Sequence, residues 1–178
     1  EHARIGGGRL NYIYGYSDSI GGGGYNTAYG SWSSVHGGFS NIAGTSWSVV
    51  GGGYDNAAYA TWSWIGGGFY NRAYGPWSTV AGGYANSVYS YSGTISGGRS
   101  NSVYASWGTV LGGYVNRVYG TYGTVSGGYV NWATGTGSTV GGGYTNSVLD
   151  DWGTISGGTW LQTTGSSSAR AHARSRVS

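Results

Sequence analysis

A β-branched aliphatic residue returns every fifteen positions along this chain, at Ile5, Ile20, Val35, Val50, Ile65, Val80, Ile95, Val110, Val125, Val140 and Ile155, with no insertion to disturb the count. A Gly pair stands two and three positions after each, from Gly7 and Gly8 to Gly157 and Gly158. An Asn keeps the same frame at Asn11, Asn26, Asn41, Asn56, Asn71, Asn86, Asn101, Asn116, Asn131 and Asn146. The unit reads V-x-G-G-Y-x-N-x-A-Y-G-x-W-S-T; ten full copies cover residues 5–154 and a half copy runs on to about Leu161. A fifteen-residue unit is too short for a helical pair and suits two short strands joined by two corners. Stacked units therefore predict an all-β chain, a single-chain parallel β-solenoid of about ten coils. The organisation follows as a lead-in at 1–4, the solenoid at 5–161 and a Ser/Arg-rich C-terminal tail at 162–178.

Alternation assigns the faces. With the Val or Ile inward, the Thr before it (Thr79, Thr94, Thr109, Thr124, Thr139, Thr154) faces out, and the Ser or Gly before that faces in. The Ala or Val eight residues after the aliphatic, from Ala28 to Val148, also faces in, so the interior is thin and built of small residues. The Gly pair supplies a corner with positive φ or close backbone approach. The Asn tolerates the left-handed region at a corner, and its side-chain amide can bond the same amide one coil above, a structural Asn ladder.

Two aromatic columns are expected to project outward: Tyr14, Tyr29, Tyr59, Tyr74, Tyr89, Tyr104 and Tyr119, and, three positions later in the frame, Trp32, Trp47, Trp62, Trp77, Trp107 and Trp152. A third set (Phe39, Tyr54, Phe69, Tyr84, Tyr114, Tyr129, Tyr144) follows the Gly pair, and alternation does not fix its facing across the corner. Coils stack at roughly 4.8 Å, so outward rings form long apolar stripes on a rod on the order of 50 Å long. Monomers seldom leave such stripes uncovered. The two columns are therefore the candidate contacts for assembly or for glycans. The repeat starts at Ile5 with no preceding cap, which predicts head-to-tail stacking or truncation from a longer chain.

Composition removes other classes. Collagen needs Gly at every third position, whereas the 40 Gly of these 178 residues come mostly as doublets and triplets. Aromatic residues make up 16% and charged residues 7%, the reverse of a disordered chain. No apolar run approaches the roughly 20 residues of a membrane helix. Without Cys there is neither a disulfide framework nor a thiolate zinc site. The net charge of +3 sits in the tail at Arg170, Arg174 and Arg176, while Arg9, Arg72, Arg99 and Arg117 are balanced by Asp18, Asp55, Asp150 and Asp151. A nucleic-acid surface is not expected. The chain opens with neither Met nor a charged-then-apolar leader, and reads as a mature or partial chain.

The segments STVAGGYANSVYS (Ser78 to Ser90) and GTVSGGYVNWATG (Gly123 to Gly135) resemble the Gly-Gly, Asn and Ala-Gly repeats of trimeric autotransporter adhesin heads, and of some phage tail-fibre and bacterial surface proteins. That resemblance covers about 155 of the 178 residues. It implies a left-handed parallel β-roll, packed as a trimer, displayed outside the cell and used for adhesion or as a fibre shaft. The heavy Tyr and Trp loading departs from the pattern.

Groups for catalysis are scarce. Asp150 and Asp151 are adjacent and suit a turn or an end coil. His36 stands alone on an outward slot, with His2 and His172 near opposite termini, so no metal spacing is present. Serines lack a partnered base. The Gly runs precede no helix and the chain has no Lys, so no phosphate cradle is expected. No catalytic residue, cofactor or metal is expected. There is no Asn-x-Ser/Thr sequon, while the Ser and Thr ranks are open to O-linked sugar. The leading expectation is a non-enzymatic extracellular structural protein that self-assembles into a surface fibre, its partner another copy. The alternative is an adhesin or phage tail-fibre head binding host glycans or a receptor through the aromatic ladders. An ice-binding Thr face and a glycan-active enzyme rank below these.

Overall fold

Each unit contributes two strands of two residues, β1 (Arg4–Ile5) and β2 (Tyr12–Ile13) in the first, β21 (Thr154–Ile155) and β22 (Gln162–Thr163) in the last. In the computed structural model, which describes residues 2–165, these strands build a parallel β-solenoid of about eleven turns. The odd strands form one 11-stranded sheet and the even strands another. Register is invariant: Thr79 pairs with Thr94 and Val80 with Ile95, each residue lying against its equivalent one coil on. A third ladder of single bridges runs up the Gly-pair corner from Arg9 and Gly24 to Tyr144 and Thr159. Gln162 and Thr163 pair with Ser147 and Val148, so the sheet continues two residues past the boundary read at Leu161. Glu1 and residues 166–178, with Arg170, His172, Arg174 and Arg176, lie outside the described residues.

The core is a double file of small side chains. Ile20, Val35, Val50 and their equivalents up to Ile155 are buried, and they pack against the file running from Ala28 to Val148. The second file alternates with the position five residues on. Where it holds Ala (Ala28, Ala43, Ala58, Ala73, Ala133), the partner is a buried Ser (Ser33, Ser48, Ser63, Ser78, Ser138). Where it holds Val (Val88, Val103, Val118, Val148), the partner is Gly (Gly93, Gly108, Gly123, Gly153). The reason is steric. A Cβ added at Gly108 would lie 2.8 Å from Cγ1 of both Val103 and Val118, and one at Gly93 would lie 2.5 Å from Cγ1 of Val88. The coil thus keeps its interior volume constant by trading a methyl pair for a hydroxymethyl.

The corners differ from the sequence expectation in one respect. The Asn is not the left-handed residue; the residue before it is, from Leu10 (φ 54°) to Thr145 (φ 54°), and Trp160 (φ 58°) takes the same seat before Leu161. A second left-handed seat falls on the Trp column, with φ between 56° and 63° at Trp32, Trp47, Trp62, Trp77, Trp107 and Trp152. Both seats turn a peptide over. Ordinary ladder N–H groups donate to the next coil, as Tyr74 does to Val88 at 2.8 Å, whereas Tyr70 and Trp77 donate to the previous coil, at Tyr54 (3.0 Å) and Thr61 (3.1 Å). The ladder bond offsets the strain of a side chain in that region, which costs about 1–2 kcal/mol. At the Gly-pair corner, Gly38 has φ 84°, and a Cβ there would sit 2.2 Å from the carbonyl oxygen of Gly53 in the next coil, so only glycine fits.

The Asn ladder exists but is bonded differently. Asn86 donates Nδ2 to the Gly82 carbonyl in its own coil (2.9 Å) and to the Gly98 carbonyl in the next (3.0 Å), and its Oδ1 accepts the backbone N–H of Asn101 (3.0 Å). The same set repeats from Asn26 to Asn146. Amide-to-amide bonds join only Asn56 to Asn41 and Asn131 to Asn116, at 3.2 Å each, so the expected side-chain ladder is mainly a side-chain-to-backbone one. The physical reason is that the corner leaves two carbonyls and one N–H facing inward, and an amide satisfies all three.

Candidate functional site: three aromatic columns

The Tyr column follows directly on the second sheet: Tyr74 succeeds inward Ala73 and so faces out. The Trp column also faces out, but for a reason alternation does not supply. Its residues sit in the left-handed corner seats, not in strands. Every residue of both sets, Tyr14, Tyr29, Tyr59, Tyr74, Tyr89, Tyr104, Tyr119, Trp32, Trp47, Trp62, Trp77, Trp107 and Trp152, is an exposed ring. The third set, undecided by sequence, is outward too. Phe39, Tyr54, Phe69, Tyr84, Tyr129 and Tyr144 are exposed, and Tyr114 is partly so.

Within a column the rings stack face to face. Tyr89 and Tyr104 are 4.9 Å apart at 2°, Trp47 and Trp62 4.8 Å at 4°, Tyr129 and Tyr144 4.8 Å at 2°. The coil rise and the ring spacing coincide, because one ring is carried per coil. Inside an unbroken run, each ring covers its neighbours' faces and turns its rim to solvent. Such a run is a long apolar edge, not a set of open platforms.

The columns are interrupted, and most interruptions are filled. Arg99 stands in the third column in the frame of Tyr84 and Tyr114, its guanidinium carbon 5.1 Å from one ring centroid and 5.7 Å from the other. Ser17 and Ser92 replace the ring in the Trp column, and there the preceding residue supplies one. Tyr16 meets Trp32 edge-on at 6.2 Å, and Tyr91 meets Trp107 edge-on at 5.7 Å. At Gly137 the Trp152 ring folds over the backbone, within 2.4 Å of where a Cβ would be. Gly44 interrupts the Tyr column between Tyr29 and Tyr59. The frame places Arg99 with the rings, so its role was open to sequence reasoning; the edge-on caps were not, because Tyr16 and Tyr91 fall one position off the repeat.

The polar residues do not converge. His36 is exposed on the face of the first sheet. Asp150 and Asp151 lie in the corner before β21, where Asp151 accepts the N–H of Thr136 at 2.7 Å, the turn role expected of them. Arg72 pairs with Asp55 at 2.5 Å, and Arg117 lies over the Trp132 ring at 5.8 Å. Tyr70 stands edge-on between Tyr54 (5.6 Å) and Tyr84 (5.8 Å). Desolvation, then the charges of Tyr54 and Asp55, raise its pKa above the ordinary tyrosine value. Among the described residues no three His, Cys, Asp or Glu side chains gather to hold a metal ion. Among them, too, no helix is long and apolar enough to cross a membrane. The Asn ladder, buried throughout from Asn26 to Asn146, belongs to the scaffold and not to the surface.

Neither a protein-family model nor any curated protein matches the chain.

Proposed function

We propose that this protein is a non-enzymatic extracellular structural subunit, a β-solenoid that assembles with further copies of itself into a surface fibre through its aromatic columns. The observation that carries the reading is the exposure of all three columns along the rod, with Trp152 at 69% and Tyr29 at 52%. Apolar stripes of that length are covered in most soluble proteins. A rigid, register-locked rod with ring rims facing outward is a surface on which a second rod can interdigitate its own rims. The resemblance of the repeat to adhesin heads and phage fibres fits the same extracellular setting.

The alternative reading is a trimeric adhesin or tail-fibre head that holds host glycans on the ladders. A sugar ring stacks on an aromatic face, and within the unbroken runs those faces are occupied by neighbouring rings. Stacking therefore favours rim-to-rim assembly over glycan capture along these columns.

The test is the double substitution Trp62→Ser with Trp77→Ser, two adjacent rungs 5.1 Å apart. Electron microscopy of the parent protein is expected to show uniform filaments. The double variant should keep the parent circular-dichroism spectrum and lose the filaments. Filaments unchanged in the variant, or a parent that stays a dispersed monomer, would overturn the proposal. Discrete trimers that bind a glycan array would transfer it to the alternative.

A further inference from the structure

The Tyr column carries a ring in each coil from Tyr14 to Tyr119 except at Gly44. Tyr29 is stacked on its near side by Tyr14 at 4.9 Å and has no ring on the side toward Gly44. Its exposure of 52% exceeds the 41% of Tyr104, which has rings on both faces. On the far side of the interval, Tyr59 leans inward: its Cδ1 lies 3.2 Å from the Cβ position of Gly44. That lean has drawn it away from its other neighbour. The Tyr59–Tyr74 pair, at 5.4 Å and 17°, is the most widely spaced and most tilted of the column, against 4.8 Å and 4° for Tyr104 and Tyr119. The interval at Gly44 carries no ring of its own, and Tyr59 leans into it.

The same interval occurs elsewhere in the chain with its occupant present. Tyr84 and Tyr114 are also two coils apart, and the guanidinium of Arg99 lies between them. A flat cation matches the spacing of two coil rises, about 10 Å, and the negative faces of two phenol rings attract it. Lysine, a compact and strongly hydrated point charge, does not stack in this way.

We propose that the interval at Gly44, between the faces of Tyr29 and Tyr59, is a binding slot for a planar guanidinium, the side chain of an arginine carried by a partner peptide. Tyr59 swings back into line with the column when the slot fills. The slot lies within the Tyr column but holds its ligand between ring faces, whereas the proposed assembly uses ring rims, and its test reads peptide binding and not filaments.

The experiment titrates the full chain with acetyl-Gly-Arg-Gly-amide and follows the arginine side-chain protons by NMR, since sandwiching between two rings shifts them upfield. A saturable upfield shift is expected with the parent protein. The substitution Gly44→Tyr places in the interval the side chain that its neighbours carry, at a backbone position without positive φ, and should abolish the shift. The substitution Arg99→Gly opens a second slot between Tyr84 and Tyr114, and the number of peptides bound should rise about twofold. Tyr29→Leu, which leaves Gly44 untouched, should also lose the shift, and it decides the matter if Gly44→Tyr does not fold. Undiminished binding in both Gly44→Tyr and Tyr29→Leu, no second site in Arg99→Gly, or an equal response to acetyl-Gly-Lys-Gly-amide would each overturn the slot.

Discussion

At the scale of single residues, the side-chain amide of Asn86 does the work of three backbone partners. It is fully buried, accepts the N–H of Asn101 and donates to the carbonyls of Gly82 and Gly98. Replacing it by Ala orphans the Asn101 N–H and the Gly82 carbonyl, whereas the Gly98 carbonyl still accepts the Tyr84 N–H at 2.9 Å, and each orphaned group costs about 1–3 kcal/mol. Asn86→Ala is therefore expected to lower stability by about 2 kcal/mol or more, read as a fall in the urea midpoint. A loss below about 1 kcal/mol would mean that the corner holds itself by its backbone alone. The contrast with the Trp column is instructive. Trp62 and Trp77 sit in a left-handed region that bulky side chains rarely adopt, yet their N–H groups are tied to the coil before (Ser46 at 3.4 Å, Thr61 at 3.1 Å). The backbone of the corner sets that conformation, and the ring is what the corner displays.

At the scale of the coil, the coupled choice of Ala with Ser or Val with Gly carries a sharper expectation. Ala73 and Ser78 are both buried in one coil, while Val88 and Gly93 fill the same two places in the next. Ala73→Val alone adds two methyls to a filled space and should destabilise by about 1–3 kcal/mol. Adding Ser78→Gly recreates the combination of Val88 with Gly93 and should recover most of that loss. The double-mutant cycle is expected to return a coupling energy above about 1 kcal/mol. Additive effects would show that the two places do not share one volume. This pairing was present in the residues, since each Val of the second file stands five positions before a Gly. The repeat pattern taken alone shows two inward positions, however, and the 2.5–2.8 Å approaches that make them interdependent follow only from how the chain closes on itself.

For the molecule as a whole, each coil touches only the coils beside it, so stability is a sum of coil terms and nearest-neighbour terms. A change confined to a corner should stay local, whereas a change of register within a strand should not. Inserting one Gly between Thr94 and Ile95 pushes Ile95 off the core file and breaks its pairing with Val80 and Val110, at a cost of about 2–5 kcal/mol for the core side chain alone. The same insertion between Tyr91 and Ser92, in the exposed corner, is expected to cost less than half as much, with amide hydrogen exchange in the coils on either side unchanged. Equal costs for the two insertions would contradict a register held by the strands. Pro76 agrees with this division. It stands in a corner position whose neighbours Thr61 and Tyr91 donate no ladder bond among the described residues, while its carbonyl still accepts from Ser92 at 2.9 Å.

The strict fifteen-residue return of Val or Ile, with Gly and Asn in fixed phase, determined by itself that the chain is a parallel solenoid, because no other packing satisfies so short a period while keeping each side chain against its own equivalent. It also determined that the Tyr column lies outside, since each Tyr directly follows an inward place that admits only a small side chain. The tertiary structure decided what depends on distances between coils. It placed the left-handed seats on the residue before each Asn and on the Trp positions, turned the Asn amides to the backbone, faced the third column outward and seated Arg99 between two rings. Those outcomes come from the direction in which each corner peptide must point to complete the ladder, and that direction depends on contacts fifteen residues away.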